Sequence, residues 1–525
     1  MLLVFAAVVV AAVLVTLIIA YRRHKAAASI AAMNRVNAQL EQRTRMYNER
    51  FKAAATQVGD GRAAIQLAGL RAMAGLADDW PEHRQACVDA LCAYLRMPRP
   101  PDPGRGAAPE DQLKFDDVRY TVIGIITAHL RLSAKVSWRS LDLDFTGAVF
   151  DGGDFSGAGF SGGEISFSGA RFSGGRVSFA GAEFSGSQVS FADAEFSAGQ
   201  VNFARTRFAG GEVNFRGTRF AGGEVSFADA EFSGSQVSLD GAGFSGAQID
   251  FRRSTFSAGE VSFRRAKFSA GEISFGRTQF SGTQTGQGFA GFSGAEFSGG
   301  EISFSGAGFS GSQVGFGGGM FSGAQVGFDG AEFSAGQVSF ADARFSGGEV
   351  SFSGARFSGG QVSFGLAGLS DGQLSFNDAE FSGAQIDFHS ARFSGAQVSF
   401  ILARFSGGVV SFVLSKFSGG QASFNGAKFS GGLVDFGSTR FSGGLVDFFG
   451  AEFSGGQVSF DGARFTTQVS FLLAKFSGGE VDFSKVADWS PQPQFDGDGR
   501  RPAGVRLPGG SNGTGVSEGP SSAGS

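Results

Sequence analysis

The chain has 525 residues, a formal net charge of −4, 85 glycines and 61 phenylalanines. Ordinary proteins use glycine at about 7%, so an excess of two residue types over this length indicates a repeat rather than a series of ordinary domains. The near-balanced charge lacks the basic excess of nucleic-acid-binding proteins, so no nucleic-acid partner is expected. Cys87 and Cys92 are too few for a disulfide framework or a metal site, and we expect two buried thiols and no cofactor.

Residues 1–20 form an uncharged apolar run that is long enough to cross a bilayer as a helix. Arg22, Arg23 and Lys25 follow directly. Because positive residues favour the cytoplasmic side, we expect a single-pass anchor in the cell membrane, with the N-terminus outside and the remaining chain in the cytoplasm. A secretory signal peptide would have a basic start and a shorter apolar run, and neither is present.

Residues 21–134 are predicted to be α-helical. An a/d seam runs through Ile30, Met33, Asn37, Leu40, Thr44, Tyr47, Phe51 and Ala54. It predicts either a parallel coiled-coil homodimer, in which Asn37 would fix the register, or an amphipathic helix that folds back on its own neighbours. Further helices are expected at about 62–76, after Trp80-Pro81, and at about 111–132, with a Pro/Gly-rich loop before the last. This helical region is expected to cap the open end of the repeat.

Phenylalanine recurs at every twelfth position from Phe160 to Phe280, and a second series lies seven positions after the first, with Leu239 in one Phe slot. The register breaks at 284–292 and then holds from Phe297 to Phe465, with one further substitution at Leu369. The unit reads A-x-F-S-G-G-x-V-x-F-x-x.

The spacing of two between Ala and Phe, and between Val and Phe, places these side chains on one face of an extended segment. Glycine and serine between them suit corners. A coil made of one unit has no room for a core, so we expect two units per coil, with four sides and four inward phenylalanines. The sequence therefore predicts a mainly β solenoid of about 14 coils over residues 135–490, followed by a disordered tail at 491–525.

Strings such as Ala182-Glu183-Phe184-Ser185-Gly186 and Val189-Ser190-Phe191-Ala192-Asp193 resemble the units of pentapeptide-repeat proteins, with Phe at the central position. The chain departs from that pattern by two extra residues after every second pentapeptide. The resemblance covers about two thirds of the chain and implies a right-handed quadrilateral β-helix. Segments 48–97 and 137–155 are similar to membrane-anchored actinobacterial members. The resemblance leaves the activity open, since most of the family has no known activity.

Two glycine-rich strings match catalytic or cofactor motifs by composition. Residues 157–162 match the dinucleotide fingerprint, and residues 368–372 match the nucleophile elbow. Both are in register with the repeat, and a hydrolase would also need a positioned histidine. We therefore expect no enzymatic activity.

Charged and apolar residues outside the core are the candidate partner surface. With two units in each coil, Arg392, Lys416, Arg440 and Arg464 stack in one column, while Arg404 and Lys428 form the opposite column with Glu452. The first column is either a solvated face or a site for an acidic partner or anionic lipid headgroups. Apolar residues at outer or corner positions, which predict a protein interface, are Ile401, Leu402, Val413, Leu414, Phe449, Leu472 and Leu473.

The function expected from these features is that of a non-enzymatic, membrane-tethered scaffold or protein-binding rod with an unknown protein partner. One alternative follows the DNA-mimicking, topoisomerase-binding members of the pentapeptide-repeat family and requires a continuous acidic face. The other is an extracellular adhesive or ice-binding solenoid, which would need flat threonine ladders and the opposite topology.

Overall fold

The computed structural model describes residues 2–98, 109–186, 188–281, 290–310, 312–496 and 504–508. The chain divides into two compact units. The first is helical and contains the residues up to Tyr94 together with the start of the last helix, up to Val122. The second contains Leu95–Pro103 together with Ile123 and the residues after it.

The helices are α1 Leu2–Val58, α2 Ala63–Asp79, a 3-10 turn Pro81–His83, α3 Arg84–Arg96 and α4 Pro109–Leu130. The predicted helices are confirmed, and the apolar run and the a/d seam belong to a single helix rather than to two. α1 is long and apolar enough to cross a membrane. Helix α3 begins directly after Pro81–His83, where proline suits a first turn because it lacks the N–H that would remain unpaired.

The seam of α1 is packed at its C-terminal end and exposed at its N-terminal end. Tyr47 is buried, and its ring stacks on His83 at 4.1 Å between centroids. Gly69 of α2 lies so close to α1 that a Cβ there would be 2.8 Å from the carbonyl oxygen of Ala54. By contrast, Ile30 and Leu40 are 61% and 57% exposed. The C-terminal part of the seam therefore packs within the helical unit, whereas Ile30 and Leu40 in its N-terminal part remain exposed.

The second unit is a β-solenoid of about 14 turns with two parallel sheets, named here sheet A and sheet B. The strands of sheet A are Leu143–Asp144, Gly159–Phe160, Glu164–Ser166, Glu183–Ser185, Gln188–Ser190, Arg207–Ala209, Glu212–Asn214, Glu231–Ser238, Thr255–Ser262, Gln279–Ser281, Ala290–Gly291, Gly308–Ser310, Ser312–Gly315, Glu332–Phe333, Gly336–Ser339, Arg356–Phe357, Gln361–Ser363, Glu380–Phe381, Gln385–Asp387, Arg404–Phe405, Val409–Ser411, Lys428–Asp435, Glu452–Ser459, Lys475–Phe476, Glu480–Asp482 and Val505–Arg506.

The strands of sheet B are Val149–Phe150, Gly153–Asp154, Arg171–Phe172, Arg176–Ser178, Glu195–Phe196, Gln200–Asn202, Arg219–Phe220, Glu224–Ser226, Gly243–Asp250, Lys267–Ser274, Glu296–Phe297, Glu301–Ser303, Met320–Phe321, Gln325–Gly327, Arg344–Ser351, Gly368–Ser375, Arg392–Phe393, Gln397–Ser399, Lys416–Phe417, Gln421–Ser423, Arg440–Phe441, Leu445–Asp447, Arg464–Phe465, Val469–Phe471, Asp488–Trp489 and Gln494–Phe495.

Strand pairing confirms the predicted coil of two units. Phe184 pairs in register with Phe208, two units later, in sheet A, and Phe196 pairs with Phe220 in sheet B. Each coil thus passes once through each sheet, and each unit supplies one half of a coil. Many halves contain two short strands, as predicted, whereas others form one continuous strand, such as Glu231–Ser238.

Four columns of phenylalanine rings fill the core. Within a column the rings stack nearly parallel, as with Phe191 and Phe215, whose centroids are 4.8 Å apart. Neighbouring columns meet edge to face, as with Phe191 and Phe203 at 88°. Such pairs contribute about 0.5–1.5 kcal/mol beyond the burial of their area. Leu239 and Leu369 occupy Phe slots and are equally buried.

The coils are joined by tight turns that need left-handed backbone. At Gly408 φ is +74°, and an added Cβ would overlap the carbonyl oxygen of Ala384 in the preceding coil. Glycine is required there because consecutive coils touch through their backbones. Leu366, Leu402, Leu414 and Leu473 also adopt positive φ, between +59° and +61°, which is uncommon for a bulky residue.

Three coils depart from the standard length without breaking the sheets, and the first of them is two residues short, with Leu143 paired to Ile165. Phe280 pairs with Phe309, and the coil between them carries five residues more than the standard coil. The predicted break at 284–292 falls here, and residues 282–289 lie outside the described part. Near the C-terminus Asp447 pairs with Ser470, one residue short of a standard coil. Every subsequent strand remains on its own sheet.

The ladders extend beyond the predicted solenoid boundary at residue 490. Phe471 pairs with Phe495, and their ring centroids are 5.1 Å apart. Val505 pairs with Val481 and is fully buried. The start of the segment predicted as a disordered tail therefore continues the solenoid, and residues 497–503 and 509–525 lie outside the described part.

The last turns of α4 cover the first coil. Ile123 lies against Gly153, where a Cβ would approach its Cδ1 to 2.8 Å. Thr127 Oγ1 donates a hydrogen bond of 2.9 Å to the carbonyl oxygen of Asp154. Below them, fully buried Trp138 stacks on His129 at 3.9 Å. The end of a helix thus shields the apolar side chains of the first coil from water.

Candidate functional site

Four basic residues form one row on the outer face of sheet B. Lys416 pairs in register with Arg392 on one side and with Arg440 on the other, and Arg440 pairs with Arg464. All four side chains are exposed, and each precedes a buried phenylalanine. Neighbouring strands lie about 4.8 Å apart, so the row places four positive charges along about 14 Å. Arg392, Lys416, Arg440 and Arg464 are called the basic row below.

In the corresponding column of sheet A each cation has a carboxylate beside it, although Arg404 and Lys428 are also neighbours in the register. Arg404 follows Glu380 in the register and bonds it at 2.7 Å. Lys428 and Lys475 lie on either side of Glu452, with Nζ–Oε distances of 3.7 and 3.1 Å. The hydrogen bond from Lys475 and the charge of Lys428 lower the pKa of Glu452 below its ordinary range. This column, Arg356, Glu380, Arg404, Lys428, Glu452 and Lys475, is called the alternating row.

Only the last residue of the basic row has a carboxylate beside it in the register, since Arg464 pairs with Asp488. Among the residues that the structure describes, none of its four side chains forms an ion pair. The neighbouring outer columns of sheet B are neutral here, with Ser394, Ser418 and Ser442 in one and Gln397 and Gln421 in the next. Like charges directly opposite each other destabilise a sheet. The basic row has three such pairs in succession, whereas the alternating row has one, between Arg404 and Lys428.

A groove lies at Gly368, in the same column of sheet B as the basic row and one coil before Arg392. Gly368 pairs with Arg392 on one side and with Arg344 on the other. Because glycine has no side chain, an open groove of about 400 Å³ forms there. Its lining is Glu296, Ser298, Met320, Ser322, Arg344, Phe345, Ser346, Gly368, Leu369, Ser370, Arg392 and Ser394.

Sequence reasoning missed Arg344 and the groove. Gly368 lies one coil before Arg392, and Arg344 lies one coil before Gly368, so the period contained the signal. Gly368 interrupts the run of basic residues, so the pattern of adjacent charges in the sequence does not reach Arg344. Arg344 is exposed, and like the basic row it forms no ion pair within the described residues.

The seven predicted apolar residues lie at two different corners of the coil. Turn hydrogen bonds run from Leu402 N–H to Asn425 and from Gly426 N–H to Phe449, so these residues share one corner. Leu414 N–H bonds to Gly437 in a different column of turns. The first corner therefore holds Ile401, Leu402, Phe449, Leu472 and Leu473, and the second holds Val413 and Leu414.

Neither corner is a continuous apolar surface along the rod. Asn425 and Gly426 separate Ile401 and Leu402 from Phe449 in the first corner. The Leu402 side chain leans over this gap, since a Cβ at Gly426 would lie 2.9 Å from its Cδ2. Leu402 remains 51% exposed, Leu473 57% and Phe449 44%.

The nucleophile-elbow match has the wrong geometry for that motif. Residues 368–372 lie within the strand Gly368–Ser375, not in a strand-to-helix turn. Ser370 Oγ donates to the carbonyl oxygen of Phe345 at 3.4 Å. Within the described ranges, no cluster of three His, Cys, Asp or Glu side chains is placed to hold a metal ion.

The two thiols lie in the core of the helical unit. Cys87 and Cys92 are thiols that are not joined in a disulfide, and both are fully buried. Tyr47 Oη lies 3.7 Å from Cys87 Sγ, at hydrogen-bonding distance for sulfur. Burial raises the pKa of Cys87 and that of Tyr47 above their ordinary values, so both groups are held neutral.

The fold and its charged rows define a β-solenoid repeat protein, and a long apolar helix precedes the solenoid in the sequence. No protein-family model matches the chain, and no curated protein matches it. Among solved structures, the chain is similar to a trypsin-treated form of QnrB1, a plasmid-mediated fluoroquinolone resistance protein. The identity is 18%, the match covers 44% of this chain and 91% of that one, and the TM-score is 0.16. A superposition this poor carries no argument about function.

Proposed function

We propose that the protein is a non-enzymatic, membrane-tethered binding rod whose basic row docks an acidic segment of a partner protein. The observation that carries this proposal is the contrast between two columns of one solenoid. The alternating row pairs its cations with carboxylates at 2.7 to 3.7 Å. The basic row stacks four cations in succession, and Asp488, the carboxylate in register with Arg464, forms no ion pair with it within the described residues. An acidic partner would supply the compensation that the chain itself omits.

The proposed tether is the apolar part of α1. Residues 1–20 are uncharged, and the helix continues through Arg22, Arg23 and Lys25. The positive flank supports an orientation with the N-terminus outside and the solenoid in the cytoplasm of a single-pass cell-membrane protein. Tethering would raise the local concentration of the rod next to a membrane-bound partner.

The spacing of the basic row favours a helical partner segment lying parallel to the solenoid axis. Successive cations are about 4.8 Å apart, and one turn of an α-helix rises about 5.4 Å. Carboxylates at positions i, i+4 and i+7 of such a helix would face successive cations of the row. An extended strand presents same-face residues about 6.8 Å apart and loses this match after one interval.

A DNA-mimicking function is less well supported by the surface. Mimicry requires a continuous acidic face, whereas Arg207 lies between Glu183 and Glu231 in the register of sheet A. In sheet B, Glu195 lies between Arg171 and Arg219. Charge alternation in both sheets argues instead for a rod that compensates itself along much of its length and leaves the basic row for a partner.

The test compares two variants of equal charge change in full-length protein crosslinked in living cells. One replaces the four cations of the basic row by glutamine, and the control replaces Arg356, Arg404, Lys428 and Lys475 of the alternating row. We expect acidic partner proteins to be lost from the first variant and retained by the second. Retention by both would overturn the proposal, and so would loss from both. Binding only to vesicles with anionic lipids would assign the row to a membrane surface.

We also propose that α1 associates with α1 of a second copy through the exposed half of its seam. Ile30, Met33 and Leu40 are 57% to 67% exposed. Two copies anchored by the same helix in one membrane would be parallel and at the same height, which is the arrangement that a parallel coiled coil needs. Asn37 would then face Asn37 of the second copy and fix the register.

A further inference from the structure

The groove at Gly368 lies between two guanidinium groups that form no ion pair with any described residue. Arg344 and Arg392 are the register partners on either side of Gly368, so their strands are two intervals, or about 10 Å, apart. Arg392 is also the first residue of the basic row. The groove is therefore an N-terminal continuation of that row, with a gap where a side chain is missing.

The surroundings of the gap differ from those of the rest of the row. Met320, on the far side of Arg344, is 41% exposed and presents a thioether to the groove. Phe345 and Leu369 lie beneath it. Leu369 occupies a position that phenylalanine occupies in the neighbouring coils, so the floor of the groove lacks one aromatic ring at this point. The groove thus combines an apolar floor with a positively charged rim.

A carboxylate, that of Glu296, lies at the Met320 end of the groove and disfavours the binding of an anion there. Glu296 lines it and pairs with Lys267 at 3.5 Å. A carboxylate entering beyond Met320 would meet this acid, whereas one entering beyond Gly368 would meet Arg392 and then Lys416. The charges therefore favour a ligand whose acidic part extends from Arg344 toward Arg464.

From this geometry we infer that the groove seats one apolar side chain of the acidic segment, between two carboxylates that bond Arg344 and Arg392. This inference rests on the proposed function and defines the ligand as an acidic peptide with an apolar residue inside its acidic run. Guanidinium groups bind carboxylates through two parallel hydrogen bonds. The apolar side chain would leave water against Met320 and Leu369 and anchor the segment in register.

A free small anion fits the groove less well. Phosphate or a short dicarboxylate could reach one guanidinium, but it would leave the apolar floor uncovered. The volume of about 400 Å³ is in the range of pockets that bind ligands through apolar contact, which start at about 300 Å³. An acidic peptide with an apolar residue would contact both the guanidinium groups of the rim and the apolar floor.

Gly368→Met fills the groove without straining the fold. No atom lies within 4 Å of a Cβ added at Gly368, and its φ lies outside the left-handed region. The equivalent position carries a methionine at Met320, so the sheet accepts that side chain. Gly243→Met is the matched control because Gly243 lies in the same column, between Arg219 and Lys267, and is equally open.

The probes are two synthetic helical peptides with the same glutamate content, one with a central leucine and the other with a serine there. Binding to the full-length protein in detergent is followed by fluorescence anisotropy at fixed ionic strength. We expect the leucine peptide to bind the wild type about tenfold more tightly than the serine peptide. Gly368→Met should abolish this ratio, and Gly243→Met should preserve it. Arg344→Gln should weaken both peptides.

Each contrary result has a distinct meaning. Equal binding of the two peptides to the wild type, or a ratio that survives Gly368→Met, would overturn the groove assignment while leaving the proposed function intact. Complete displacement of both peptides by millimolar inorganic phosphate would assign the groove to a small anion instead. If neither peptide binds, and replacing the basic row changes nothing, the proposed function itself fails.

Discussion

Arg392 and Lys416 lie side by side on adjacent parallel strands, with no carboxylate between them. In the other sheet, the corresponding neighbours Glu380 and Arg404 bond each other at 2.7 Å. The same repeat therefore builds one self-compensated column and one uncompensated column. Because the backbone geometry of the two columns is the same, the difference lies in the side chains alone and can be tested by exchanging them.

Lys416→Glu should stabilise the solenoid while removing the proposed docking function. It places a carboxylate between Arg392 and Arg440, and opposite charges in this position contribute about 0.2–1 kcal/mol. Glu452→Lys is the mirror control, because it places a cation between Lys428 and Lys475 and should lower the free energy of unfolding by a similar amount. Denaturant unfolding checks both changes. A fall in stability for Lys416→Glu would contradict the repulsion described for the basic row.

Leu402→Gly should leave the solenoid as stable as the wild type or make it more stable. Leu402 has φ +59° and is 51% exposed, and a left-handed conformation costs a residue with a Cβ about 1–2 kcal/mol. Leu402→Val should be destabilising, since a β-branched side chain tolerates this conformation least. The free energies of unfolding of the two variants measure the strain. If glycine is the worse of the two, packing of Leu402 over Gly426 outweighs the backbone strain.

Phe316→Leu should be tolerated and Phe316→Ala should not. Phe316 is fully buried and stacks on Phe292 and Phe340 at 4.8 and 4.7 Å. Leucine already occupies equivalent slots at Leu239 and Leu369, so its cost should stay below about 1.5 kcal/mol. Alanine leaves a cavity and should cost about 3–5 kcal/mol. Denaturant unfolding monitored by far-UV circular dichroism gives both values, and equal losses would contradict a close-packed aromatic core.

The helical unit should lose stability as the pH rises above about 9. Burial raises the pKa of the Cys87 thiol above its ordinary value of 9.0 and that of Tyr47 above 10.0. A group with a raised pKa in the folded state stabilises the protein fully below its unfolded pKa, and this contribution is lost as the pH rises through the folded pKa. Helix unfolding followed between pH 7 and 10 checks this, and the double variant Cys87→Ala with Tyr47→Phe should flatten the decline.

A cysteine at position 33 should crosslink two copies of the chain. Met33 lies at a d position of the seam, where the Cα atoms of a parallel dimer come close enough for a disulfide. Arg35→Cys is the control, because Arg35 points away from the seam at an f position. We expect mild oxidation of membranes to give covalent dimers of Met33→Cys and not of Arg35→Cys. Equal crosslinking would indicate random collision rather than a seam.

The periodicity of the sequence predicted most of the solenoid because a repeat applies one rule many times. The spacing of phenylalanine gave the length of the coil, the four core columns and the register of the basic row. The 12-residue period also separates Leu402 from Leu414, which lie one unit apart and therefore on opposite halves of a coil. Their closeness in the sequence hides this separation. Phe495 follows Phe471 by one full coil, but polar and proline-rich composition around it hid the continuing ladder.

Other features depended on side-chain placement that no period contains. The pairing of Lys428 and Lys475 with one carboxylate, Glu452, depends on their conformations and not only on their register. The groove at Gly368 depends on an absent side chain and on the residues that surround the gap. Continuous strands such as Thr255–Ser262 differ from split ones by small changes at the glycine corner, and the sequence motif is nearly the same in both.

The half-coil repeat restricts how the gene for such a protein can change in length. Duplication or loss of a single unit would transfer every later residue to the other sheet, so that Arg440 and Arg464 would no longer continue the column of Arg392. Gain or loss of a whole coil only lengthens or shortens the rod. The five-residue gain before Phe309 and the one-residue loss before Ser470 also keep later residues on their own sheets. Duplications between Arg392 and Arg464 that keep the basic row on one sheet must therefore come in pairs of units.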